Sequence, residues 1–295
     1  MSSYDSNDTG TDTLMMMDTA ALPYTVAQQI ADDYAALPQV VAVVLAGSVG
    51  AGAADAGSDI DLYVYTDALL PLAARRALVE KRAAHMALDN QFWELGDEWQ
   101  ESASAIAVDI TYRSPAWIAD QLDRLLLRHE ASTGYSTCFW YNVLHSACLF
   151  DRSGWYAALQ TRAQQPYPDA LRRAIVAKNH PILRDLLFSA YSHQLEKALS
   201  RGDAVSVNHR VAALLASYFD IIFAVNRQPH PGEKKLLALI EARCDKRPAH
   251  MSRDVQHLLS AAGLMNGDLL TATHSLIDHL DELLAAEGLL PTKQV

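Results

Sequence analysis

The stretch Val40-Val41-Ala42-Val43-Val44-Leu45-Ala46-Gly47-Ser48, followed ten residues later by Asp59-Ile60-Asp61-Leu62-Tyr63-Val64-Tyr65, decides how the first half of the chain folds. The first run is continuous, β-branched and small, as a strand buried on both faces would be, and it stops at a Gly-Ser turn. The second run, Asp59 to Tyr65, alternates. Ile60, Leu62 and Val64 enter the core, and Asp59 and Asp61 share the opposite face. Two carboxylates on one face repel each other unless a cation lies between them. A hard divalent ion such as Mg2+ relieves the repulsion and is usually held by one or two carboxylates together with substrate phosphates. Gly47 and Ser48 offer backbone N–H groups and a hydroxyl to such phosphates, with Ser58 close to the carboxylates at the other end of the connection.

Working outward, Ala105 to Tyr112 reads as another strand, with Ile106, Val108 and Ile110 on one face and Asp109 with Thr111 on the other. Asp109 is thereby expected beside Asp59 and Asp61. A third carboxylate there would hold a second metal ion or take a proton from an attacking hydroxyl; paired ions lie about 3.5–4 Å apart. Glu94, Glu98 and Glu101 compete with Asp109 for that place. Upstream, Thr25 and Gln28 fit a capping box, and Val26, Ile30 and Tyr34 form the stripe of a helix ending near Pro38. Leu72 to Leu88 reads as a helix and Phe92 to Leu95 as a strand. Ser114-Pro115 supplies an N-cap and a first-turn proline for a further helix.

After about residue 125 helical spacing takes over. Leu183, Leu187, Tyr191, Leu195 and Leu199 recur every four residues up to Gly202, and Val211, Leu215, Tyr218, Ile222 and Val225 repeat the pattern, predicting two long antiparallel helices. More helices are predicted from Pro231 to Cys244, Ser252 to Ala262 and Leu269 to Ala286. The expected plan is a flexible tail over 1–20, an α/β domain with a mixed sheet over 21–125, and an all-α domain over 126–295 that completes a ligand cleft.

Composition narrows the function. With 24 Lys+Arg against 35 Asp+Glu the formal charge is −11, which disfavours a long nucleic acid or an anionic membrane as partner. Three cysteines with no C-x-x-C pair fit reduced thiols, and the acidic, polar opening is unlike a secretory signal, so a cytoplasmic protein is expected. The eleven histidines show no metal spacing, and the five tryptophans are expected to pack.

Gly47, Ser48, Asp59, Asp61 and Asp109 together resemble the DNA polymerase beta-like nucleotidyltransferase superfamily, in its branch of aminoglycoside- and lincosamide-type enzymes and their uncharacterised relatives. The resemblance covers about Val40 to Arg113. It implies an ATP or other NTP donor and two Mg2+ ions, which Mn2+ can replace. It also implies that Asp59 and Asp61 bind both metals, while Asp109 binds one or acts as the base. Many relatives carry Arg three residues beyond the Ser; here that position is Ala51. A replacement cation is sought in Asn226 to Lys235, where a helix starting at Pro231 would put Lys234 and Lys235 in its first turn. The macrodipole disfavours cations there, and a bound triphosphate would explain them. The expected reaction is attack of a small-molecule hydroxyl on the α-phosphate. Nucleotidylation of a protein, as in toxin-antitoxin relatives, and a non-catalytic nucleotide-binding module are the alternatives. A glycosyltransferase using Asp-x-Asp would not need the upstream Gly-Ser.

Overall fold

The computed structural model describes residues 21–50, 58–186 and 188–291; the expected tail over 1–20 and Ala51 lie outside them. In chain order the strand-bearing part contains α1 (Ala21–Ala35), β1 (Val40–Leu45), α2 (Gly47–Gly50), β2 (Ile60–Thr66), α3 (Leu72–Val79), β3 (Ala83–Asn90), β4 (Gly96–Glu101) and β5 (Ala107–Arg113). Next come α4 (Pro115–Leu126), α5 (Cys138–His145), β6 (Ala147–Asp151) and α6 (Trp155–Ala163). The remaining helices are α7 (Asp169–Arg184), α8 (Tyr191–Ser200), α9 (Ala204–Val225), α10 (Leu236–Arg243), α11 (Met251–Leu264) and α12 (Asp268–Ala286). Two compact units divide these residues: one runs to Ala119 and includes Asn142–Gln164, and the other comprises Asp120–Tyr141 and the chain from Gln165.

The six strands form one mixed sheet in the order β3-β4-β5-β2-β1-β6, in which only β2 and β5 run parallel. β1 is almost wholly buried, as its unbroken apolar run requires. One sheet face is covered by α1, whose predicted stripe of Val26, Ile30 and Tyr34 is buried in the same core as Ile60, Leu62, Val64, Val108 and Ile110. The expected N-cap of α4 is present: the Trp117 N–H donates to Ser114 Oγ at 3.1 Å.

Three elements differ from expectation. The predicted helix over Leu72–Leu88 ends at Val79, and its second half is the edge strand β3. Ala83, Met86 and Leu88 have no strong preference for a strand, so pairing with β4 overrides their helix propensity. Phe92–Leu95 is a turn rather than a strand, and the strand lies just beyond it in β4. β4 is hard to see because one of its inward positions is Asp97, fully buried as acceptor of Arg75 Nη1 at 2.7 Å, the Tyr112 hydroxyl at 2.6 Å and the Asp89 N–H at 2.8 Å. Trp93, expected to pack, is 97% exposed on that turn.

In the helical unit, the four-residue repeat through Leu183 and Tyr191 belongs to two helices. α7 carries Pro181 within its last turn and stops at Arg184, and α8 restarts at Tyr191. Leu183, Tyr191 and Leu195 are nonetheless buried in one core with Val211, Tyr218 and Ile222 of α9. The fold class is therefore an α/β domain on a mixed sheet followed by a helical region, with β6 interrupting the helical spacing once.

Candidate functional site

The exposed side of the β2–β5 pair carries the predicted carboxylates. In the parallel register Asp61 stands beside Asp109 and Ile60 beside Val108, so the two acids share one face while the two apolar neighbours share the other. Asp59 directly precedes β2. It lines, with Asp61 and Asp109, a cavity of about 600 Å³ whose remaining wall is built by β3 and β4, including His85, Glu98 and Gln100. The structure thus brings the three aspartates to one cavity, as the alternation of both strands predicts.

Gly47 supplies the turn that lets this happen. Its φ of +61° lies in the left-handed region, and a Cβ added to it would sit 1.9 Å from Asp61 Oδ2. The carboxylate therefore occupies the space that any side chain at 47 would need. The Ala46 N–H donates to the Asp61 carbonyl at 2.8 Å, which fastens the turn to β2. Ser48 lies in the single turn α2, Ser58 lies just ahead of β2, and both belong to the same unit as the carboxylates.

Charge crowding shapes the chemistry of Asp109. Desolvation first, and then the negative charges of Asp61, Glu98 and Asp59, push its carboxyl up to about 6, against a small opposing pull from Arg113. Asp109 remains open to the solvent of the cavity. A group held near that value exchanges a proton readily at neutral pH.

Among the competing acids, Glu94 is engaged by Arg113 at 2.5 and 2.8 Å, and Arg113 also stacks 4.0 Å from the centre of the Tyr63 ring. Glu101 is buried; it accepts from Trp99 Nε1 at 2.9 Å and lies 3.6 Å from Arg82 Nη1. Glu98 is different. It pairs across the β4–β5 ladder with Asp109 and projects to the same face. Its strand was not recognisable from hydrophobic spacing, so only its closeness in sequence pointed to it.

Lys234 and Lys235 lie on an exposed turn of the helical unit. The predicted helix begins at Leu236 rather than Pro231, so both lysines precede α10 and are not in its first turn. The first-turn placement expected for them is therefore not found, and Lys235 stands at the N-cap instead. Lys235 takes the left-handed cap position with φ of +56°.

The three aspartates offer only oxygen donors, which suit a hard divalent cation. Among the described residues no three His, Cys, Asp or Glu side chains are gathered closely enough to hold a metal ion by themselves. The aspartates form an open row beside a cavity instead. That arrangement fits Mg2+, which keeps much of its shell for water and substrate phosphates.

Residues 27–113 match the family model described as a nucleotidyltransferase domain. Residues 141–236 match a domain of unknown function, DUF4037. The chain is also similar to the crystal structure of a nucleotidyltransferase-like protein from Exiguobacterium sibiricum 255-15, at 13% identity over 89% of this chain and 74% of that one, with a TM-score of 0.41. No curated protein matches. The resemblance carried by Gly47, Ser48, Asp59, Asp61 and Asp109 therefore holds: this chain carries a nucleotidyltransferase domain of the DNA polymerase beta-like superfamily over residues 27–113.

Proposed function

We propose that the protein is a Mg2+-dependent nucleotidyltransferase that moves a nucleotidyl group, AMP when ATP is the donor, to a hydroxyl of a small-molecule acceptor such as an antibiotic. The observation that carries this reading is the register of Asp61 against Asp109 on one face, with Asp59 at the same cavity and Gly47 closed against the Asp61 carboxylate. Asp59, Asp61 and Asp109 are the residues that would hold the metal. When bound, the divalent ions neutralise the triphosphate and lower the barrier to attack at its α-phosphorus.

The chain's own groups have separable tasks in this reading. Gly47 and Ser48 give the phosphates a close approach to Asp61, because no Cβ stands in the turn at position 47. Asp109 takes the proton of the acceptor hydroxyl. The hydroxyl oxygen forms a bond to the α-phosphorus, the bond to the bridging oxygen breaks, and pyrophosphate leaves. Incubation with labelled ATP, Mg2+ and a mixed panel of aminoglycosides, lincosamides and purified proteins tests the reading. A labelled small molecule supports it; label on a protein favours protein nucleotidylation, and no label with retained ATP binding favours a non-catalytic module.

A further inference from the structure

The row of acids does not end at Asp109. Asp61 faces Asp109 across the β2–β5 ladder, and Asp109 faces Glu98 across the β5–β4 ladder, so three carboxylates lie side by side on three neighbouring strands. Adjacent strands are about 4.8 Å apart, and like charges placed directly opposite each other destabilise a sheet. Here that arrangement occurs twice in succession. The neighbours of Glu98 in β4, Asp97 and Trp99, are buried on the opposite face, so alternation holds Glu98 on the cavity side.

Other acids of this hairpin have arginine partners: Asp97 with Arg75, Glu101 with Arg82 and, on the connecting turn, Glu94 with Arg113. Glu98 has none among the described residues. Its partner is the Asn90 amide, whose Nδ2 donates to Oε1 at 2.6 Å and so orients the carboxylate without neutralising it. A positioned, uncompensated carboxylate next to Asp109 at the wall of the cavity is placed to serve a cation that binds there.

We propose that Glu98 is a fourth carboxylate of the metal site and, together with Asp109, holds the divalent ion on the acceptor side. This rests on the nucleotidyltransferase reading above. The same geometry makes β4 part of the catalytic machinery as well as a wall of the cavity.

The test is a titration of the full-length protein with Mn2+ in the presence of a non-hydrolysable ATP analogue, with bound Mn2+ counted by electron paramagnetic resonance. Wild type takes up two ions. Glu98→Gln and Glu98→Ala keep the first and bind the second at least about tenfold more weakly, the low end of what support groups of metal sites contribute. Their melting temperatures stay at or slightly above wild type, because the side chain is exposed and its charge repels Asp109. Asp61→Asn loses both ions. Wild-type binding of the second ion by both Glu98 variants overturns the inference and leaves the function reading intact. Absence of Mn2+ binding in wild type, or its persistence in Asp61→Asn, overturns the site and the inference together.

Discussion

A side chain at position 47 would collide with the Asp61 carboxylate, since the Cβ of alanine falls 1.9 Å from Asp61 Oδ2 and the backbone there is left-handed. Gly47→Ala must therefore move the turn or the carboxylate. Misplacement of about 1 Å at a reacting centre costs on the order of 10²-fold in rate, and a loss of that size is expected in turnover with any identified acceptor. Turnover near wild type would mean that the turn does not position Asp61. For Asp109, the shape-conserving Asp109→Asn should keep binding ATP with one ion through Asp59 and Asp61 while turnover falls about 10²–10⁴-fold, the usual contribution of a general base. Comparing calorimetric ATP affinity with steady-state rate separates the two effects, and unchanged turnover would shift the base to Glu98. Asp59, Asp61 and Asp109 were legible in the sequence because their strands alternate plainly between apolar and polar. Glu98 was not, because Gly96-Asp97-Glu98-Trp99-Gln100-Glu101 shows no such alternation once an inward position is filled by a paired aspartate.

At the scale of elements, local propensity misled where tertiary pairing decided. β3 is an alanine-rich edge strand that reads as a helix, and α7 and α8 read as one helix because the buried stripe continues across the break. The start of α10 was misplaced for a different reason: Pro231 suits a first helical turn, but Gly232 at φ of +107° and Lys235 at +56° delay the helix to Leu236. α9 carries an element-level prediction of its own. Asp220 is fully buried and accepts from the Ser136 N–H at 3.0 Å, the Ser136 hydroxyl at 2.6 Å and Asn179 Nδ2 at 3.3 Å. Burial nevertheless pushes its carboxyl up to about 7. Because the folded value is raised, the folded state holds a proton that the unfolded chain has released, so this contribution is fully present below the usual carboxylate range and is lost as pH rises through about 7. Thermal melts should show wild-type stability falling between about pH 4 and about pH 8, with a flatter profile for Asp220→Asn. An identical slope in the two proteins would refute the assignment.

For the whole molecule, a formal charge of −11 disfavours unaided attraction of a triphosphate, so the proposed nucleotide binding is expected to be coupled to cations. Calorimetry should show ATP affinity that depends on Mg2+ or Mn2+ and is lost in excess EDTA; equal affinity in EDTA would contradict the metal-bridged site. The division into a strand-bearing unit and a helical unit was readable from the change of period, although β6 and α6 return to the first unit after a helical stretch. No helix among the described residues is long and apolar enough to cross a membrane. The central claim is that the Asp61–Asp109 face transfers a nucleotidyl group, and it is tested most directly by following ATP labelled at the α- or the γ-phosphate, with wild type and Asp61→Asn side by side. The prediction is that α-label enters an acceptor, γ-label leaves in pyrophosphate, and Asp61→Asn does neither. Transfer of the γ-label to the acceptor, or undiminished α-label transfer by Asp61→Asn, would contradict it.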